Sequence, residues 1–232
     1  MKKRVMISSA LLLLIATVAF GYVQYRENKQ YESYLSEVLV NDVAALSRDI
    51  MMADLILDNV VSEETVTAEE LSALKENYIG IHEHGNAVVR LADMWLDRVD
   101  NVDLSYQTNP FPTYMSHYFV RYIEELGPEN ASEDSVVSLS EEDIEKIELI
   151  KSVNEVWVKA VTDNIEGTNL PSSDTARAEL QNEPRSIRMS LVTDEYWDTY
   201  VGTMVNDDDW VDMVEQMQRE TEEFEMEVEN AL

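Results

Sequence analysis

Residues 39–60 read LVNDVAALSRDIMMADLILDNV and residues 71–99 read LSALKENYIGIHEHGNAVVRLADMWLDRV. In the first stretch Leu39, Val43, Leu46, Ile50, Ala53, Leu57 and Val60 recur at spacings of four and three, which lines them along one stripe of an α-helix. In the second, Leu71, Leu74, Tyr78, Ile81, Gly85, Val88, Ala92, Trp95 and Val99 keep the same rhythm without a break. Between them lie only Ser62-Glu63-Glu64-Thr65-Val66 and Thr67-Ala68-Glu69-Glu70. Thr67 and Glu70 have the capping-box spacing, in which hydroxyl and carboxylate satisfy the free N–H groups of a helix start. So short a connection between two long amphipathic helices turns the second back on the first as an antiparallel hairpin. Gly85 and Ala92 are small stripe residues where a partner helix can come close.

Downstream the same period continues in shorter pieces. Asp100 to Pro112 reads as a loop, closed by Asn109-Pro110-Phe111-Pro112. Thr113 to Leu126 forms a third helix ended by Gly127-Pro128, and residues 129–139 are an acidic connector. Ser140 and Asp143 cap a fourth helix that runs to about Gly167, its apolar face made by Ile144, Ile147, Ile150, Val153, Trp157, Val161 and Ile165. Pro171-Ser172-Ser173-Asp174 starts a short fifth helix that Pro184 interrupts, and a small helix near Asp194–Val205 precedes the last one. There Trp210, Val214, Met217, Thr221, Phe224 and Val228 repeat the stripe against otherwise acidic faces. No strand alternation and no internal repeat is evident. The expected class is all-α: a helical bundle built on the long hairpin.

Upstream, Met-Lys-Lys-Arg precedes nineteen uncharged residues, Val5 to Val23, followed by Arg26 and Lys29. As a helix the run is about 28 Å long, enough to cross the hydrocarbon of a bilayer. Phe20, Tyr22 and Tyr25 fall where an interfacial aromatic belt sits. Ala19-Phe20-Gly21 is a tolerable cleavage site, but the run exceeds the usual signal-peptide core of about 7–15 residues. The reading adopted is an uncleaved single-pass signal-anchor at 5–24, with a basic cytoplasmic segment 1–4 and an acidic extracytoplasmic domain 25–232. The basic excess at 2–4 keeps the N-terminus inside.

Composition narrows the partners. The chain has 17 basic and 47 acidic residues, a formal charge of −30, and no cysteine. Without residues 1–30 the balance is 12 to 46, or −34. That charge repels phosphate backbones, so no nucleic acid is expected. No disulfide can contribute, and stability must come from packing.

Candidate chemistry is sparse. His82 and His84 are two apart, about 200° around a helix, so they cannot share an ion; His82 reads as a bundle-flank residue and His84 as solvated. Residues 206–212, NDDDWVD, fail the EF-hand pattern, since position six from Asp207 is Asp212 and position twelve is Gln218. Acidic residues there suit a helix start. No metal and no cofactor is expected. Tyr114, Tyr118 and Tyr122 lie at i, i+4, i+8 beside the core stripe of the third helix, and are the candidate contacts for a partner or ligand. Arg177, Arg185 and Arg188 form the one basic concentration beyond the anchor and are the candidate anion contacts. Six glycines supply no G-x-G-x-x-G, P-loop or G-x-S-x-G, and no residue pattern selects a catalytic pair, so no enzyme is expected. The expected function is a membrane-anchored, non-catalytic interaction or scaffold module of a bacterial envelope, with an envelope or membrane protein as partner and homo-oligomerisation left open. The alternative is a sensor-like domain that binds a small ligand or cation.

Overall fold

One helix, α1, runs unbroken from Lys2 to Glu63, about 90 Å at 1.5 Å per residue. The computed structural model describes residues 2–96, 98–99, 112–127, 135–171 and 184–232, with backbone only at 2–10 and 184. From residue 11 to residue 31 every side chain of α1 is exposed, and Tyr22, Tyr25, Tyr31 and Tyr34 stand out from it. From Ser36 onward the helix enters the core, with Leu39, Val43, Leu46, Ile50, Ala53, Leu57 and Val60 buried as the stripe requires. Half of α1 is therefore a projecting rod and half is the central helix of the bundle.

Among the described residues no helix is long and apolar enough to cross a membrane. The span expected at 5–24 includes residues 5–10, whose side chains lie outside those described.

α2, Ala68–Arg90, returns antiparallel along α1. Asn59 meets Glu70 near the turn, and further along Asp42 meets His84, as opposed chain directions demand. Thr67 caps α2 with the full capping box. Glu64, with φ of 52°, makes the reversal.

The turn also holds something the sequence reading did not anticipate. β1, Thr65–Thr67, pairs antiparallel with β2, Val136–Ser138, with Val66 opposite Val137. Three-residue strands are too short to show alternation, and the partners lie about 70 residues apart. The pair sets the start of α2 beside the start of α4, Glu141–Asn164, whose own capping box joins Ser140 and Asp143.

α3, Pro112–Leu126, packs on α2, while α4 packs between α1 and α7, Asp209–Thr221. Where α2, α3 and α4 converge, Tyr78 meets Phe119 edge-on at 5.1 Å and 71°, and Trp157 at 6.4 Å and 76°. Trp157 Nε1 donates to Thr221 Oγ1 at 2.8 Å, so this indole loses no hydrogen bond on burial. Two short helices, α5 (Pro184–Ser190) and α6 (Asp194–Tyr200), cross the side of α1. Tyr196 there donates to the Val40 carbonyl at 2.6 Å. A 3₁₀ turn, Met204–Asn206, precedes α7; another, Glu222–Phe224, separates it from α8, Glu225–Ala231.

One expectation needs correction. Trp95, assigned to the buried stripe of the second helix, is 75% exposed. Residues Leu91–Trp95 form a π-helical turn, closed by Leu96 N donating to Leu91 O at 3.0 Å. The extra residue in that turn rotates Trp95 off the face that Val88 and Ala92 still hold. Pro184 stands first in the helix Pro184–Ser190, consistent with proline's tolerance in a first turn. The fifth helix expected from Pro171 falls on 172–183, outside the described residues, as does most of the loop at 100–112.

Candidate functional site

Two of the charged side chains that α1 carries into the bundle lie in one belt. Arg48 and Asp49 are consecutive, and Asp49 lies three residues after Leu46 and four before Ala53, within the buried face. Antiparallel pairing brings Asn77, Gly80 and His84 of α2 alongside, and α5 and α6 add Arg188 and Trp197.

Asp49 is 3% exposed and sits in a niche that exists because Gly80 has no side chain. A Cβ at Gly80 would lie 2.8 Å from Asp49 Cγ. Arg188 bridges the two long helices, donating from Nη2 to Asp49 Oδ1 and from Nη1 to Asn77 Oδ1, the latter at 2.9 Å. Burial pushes the Asp49 carboxyl above its ordinary range, and the neighbouring Arg188 guanidinium only partly opposes this. At the next level His84 Nδ1 is 3.2 Å from Asp42 Oδ1. That bond raises the imidazole pKa, so His84, expected to be solvated, instead ties α2 to α1.

Arg48 differs from its neighbours. It is half-buried, with its guanidinium 5.8 Å from the centroid of Trp197. Its Nε is buried without a hydrogen-bond partner, and among the described residues the side chain has no ion pair. Burial first, and the Arg188 charge second, disfavour its protonated form.

A second polar group lies deeper along α1. Asn154 of α4 donates to the Ile50 carbonyl at 3.1 Å and to Asp54 Oδ1 at 3.3 Å, and accepts from the Tyr78 hydroxyl at 3.4 Å. Burial raises the Asp54 carboxyl from 3.8 to about 6. The folded state thus holds this proton more tightly than the unfolded chain, and its stability falls as pH rises from about 4 to about 6. A rise of that size corresponds to about 3 kcal/mol. Asp54→Asn keeps the acceptor for Asn154 and removes the charge. It is expected to raise the melting temperature at pH 8 by about 5 °C and to leave it unchanged at pH 4, as read by thermal unfolding at both values.

The sequence-predicted contacts fare differently from one another. Tyr122 is buried, and its hydroxyl donates to Asp143 Oδ1 at 3.0 Å, fastening α3 to the start of α4. Tyr114 and Tyr118 are half-exposed with their hydroxyls 3.0 Å apart. That bond pushes the Tyr118 phenol up to about 12. Arg188 belongs to the belt, Arg185 is exposed one turn earlier, and Arg177 lies outside the described residues. The structure therefore brings Arg188 together with Arg48 and Asp49, which sequence reasoning passed over. The available signal was the pair of opposite charges set inside the apolar pattern of residues 39–60.

His82 Nδ1 donates to the Thr113 carbonyl at 2.8 Å and its ring lies 4.3 Å from that of His117, joining α2 to α3. The acidic residues 207–209 are already engaged: Asp209 N donates to Asp207 Oδ1 at 3.0 Å, Tyr200 donates to Asp209 Oδ2 at 2.6 Å, and Arg98 pairs with Asp208. Among the described residues no three His or acidic side chains converge in a way that could hold a metal ion.

Comparison with known proteins returns no match: no family model, no curated protein and no solved structure is similar to this chain.

Proposed function

We propose that the chain is a membrane-tethered, non-catalytic interaction module of a bacterial cell envelope. Residues 5–24 serve as the anchor, 1–4 remain on the cytoplasmic side, and the acidic domain 25–232 stands outside. The observation that carries this reading is the continuity of α1: the uncharged run Val5–Val23 and the central core helix are one helix with no linker between them. Such a rod holds the bundle at a set distance from whatever the apolar run enters, which suits presentation of a docking surface. The aromatic side chains Tyr22 and Tyr25 fall at the expected far interface, and Tyr31 and Tyr34 continue outward, exposed. The formal −34 of the portion beyond residue 30 keeps that domain off anionic headgroups. The buried polar groups at Asp49 and Asp54 are engaged in joining helices, which is a structural use of charge.

The test is chemical cross-linking in cells followed by solubilisation and capture of a C-terminally tagged full-length copy, with mass-spectrometric readout. A carbonate-resistant membrane association and one dominant, stoichiometric envelope protein are expected. Release into the soluble fraction overturns the anchor. Membrane retention without any cross-linked envelope protein overturns the docking role, and self-cross-links alone replace the partner with a second copy of the chain.

A further inference from the structure

We propose that Arg48 and Arg188 form a binding site for a small oxyanion, carboxylate or phosphate, at the face where α5 and α6 cross α1.

The case begins with supply and demand for charge. Acidic residues outnumber basic ones by 47 to 17, so a basic side chain finds a carboxylate easily. Lys29, Lys75, Lys146, Lys151, Lys159, Arg98 and Arg188 all do. Arg90, Arg185 and Arg219 are exposed to water. Arg48 is half-buried, its Nε is buried without a hydrogen-bond partner, and the side chain makes no ion pair among the described residues. A guanidinium carries five N–H donors and cannot lose its charge. The Trp197 ring supports its face but offers nothing to its edge, which is where the donors point.

Arg98 shows what a satisfied arginine in the same setting looks like. It too lies over an indole, that of Trp210 at 5.6 Å, yet it also donates to the Val205 carbonyl at 2.5 Å and pairs with Asp208. Arg48 has the indole and lacks the acceptors.

The surroundings leave the position cationic. Asp49 is committed to Arg188, Asp42 to His84, and the Tyr196 hydroxyl to the Val40 carbonyl. The side chain of Arg188 remains 41% exposed, and its charge bears on Arg48. One guanidinium is braced on a ring and the other on a carboxylate and an amide, and such forks are what arginine uses to grip planar or tetrahedral oxyanions. An anion held by the outer N–H groups of the two arginines offsets the repulsion between the two cations.

The experiment uses the full chain in detergent. Thermal unfolding is followed while inorganic phosphate, and separately acetate, replaces sodium chloride at constant ionic strength and pH 7.5. A saturable rise in melting temperature with a millimolar midpoint is expected from at least one anion, and which one responds assigns phosphate or carboxylate. Arg48→Gln is expected to weaken that midpoint at least ten-fold, while Lys159→Gln, at a distant surface pair, leaves it unchanged. General stabilisation by excluded anions is common to all three proteins and cancels in the comparison. An equal response from Arg48→Gln, or no response above chloride from the wild type, overturns the site. Should Arg48→Gln not fold, ³¹P line broadening of phosphate and ¹³C broadening of labelled acetate by the wild type decide instead, with sharp lines for both counting against the proposal.

Discussion

Gly167→Ala is expected to lower the melting temperature by about 10 °C, whereas Gly202→Ala lowers it by about 3 °C. Both glycines have positive φ, 72° and 80°, so each alanine incurs about 1 kcal/mol of left-handed strain. They differ in what surrounds them. A Cβ at Gly202 meets nothing within 4 Å, but one at Gly167 would lie 2.7 Å from Tyr196 Cα, in the backbone of α6. Backbone cannot rotate away as a side-chain tip can. Gly167 also accepts from Thr193 N at 2.9 Å and from Thr193 Oγ1 at 3.0 Å, and Asn169 N donates to Leu191 O at 2.9 Å. The crowding therefore falls where the end of α4 is stitched to the start of α6. Displacing that stitch adds about 3 kcal/mol to the strain, of the order that overpacking imposes, and at about 2–4 °C per kcal/mol the difference is measurable by calorimetry. Equal losses from the two substitutions would show that conformation, not contact, governs both.

The second large effect is a coupling. On helix propensity alone Gly80→Ala would stabilise α2 by about 1 kcal/mol. It is expected instead to destabilise by about 3 kcal/mol, because the new methyl group claims the space of the Asp49 carboxylate. Removing the carboxylate first reverses the sign. In an Asp49→Ala background, Gly80→Ala is expected to be neutral or stabilising, so the double-mutant cycle yields a coupling of at least 2 kcal/mol. Asp49→Ala itself is tolerable, since the Arg188 head it abandons is 41% exposed and can turn to water. Denaturant unfolding of the four proteins measures the cycle. An unchanged cost for Gly80→Ala without Asp49 would mean that the glycine is needed for a reason other than the niche.

What could be read from the sequence follows from the range of each interaction. The hairpin was legible because a helix repeats its stripe every three or four residues, and both capping boxes were legible because Thr67 with Glu70, and Ser140 with Asp143, sit three apart. The π turn at Leu91–Trp95 was not, since one added residue shifts the phase without altering composition. The β1–β2 clamp joins residues about 70 apart and has no periodic signature. The belt is more remote still: Asp49 and Arg188 are 139 residues apart, and only the fold makes them neighbours. Arg188 was marked by its local concentration with Arg177 and Arg185, but no local spacing could reveal Asp49 and Asn77 as its partners. Arg48 carries no local mark at all, because the burial of its Nε and its indole contact depend on residues distant in the sequence.

The unbroken run of α1 makes the attitude of the bundle a matter of residue arithmetic. Each residue of an α-helix adds about 1.5 Å of height and about 100° of rotation. One residue inserted between Gln24 and Ser33 would turn the whole bundle to face another compass direction while scarcely lifting it. Removing seven would lower it by about 10 Å and return it to nearly the same heading. Because Asp49, Asp54 and the core stripe are turns of that same rod, their bearing is set by the count of residues beneath them, as the teeth of a key are set by its shaft.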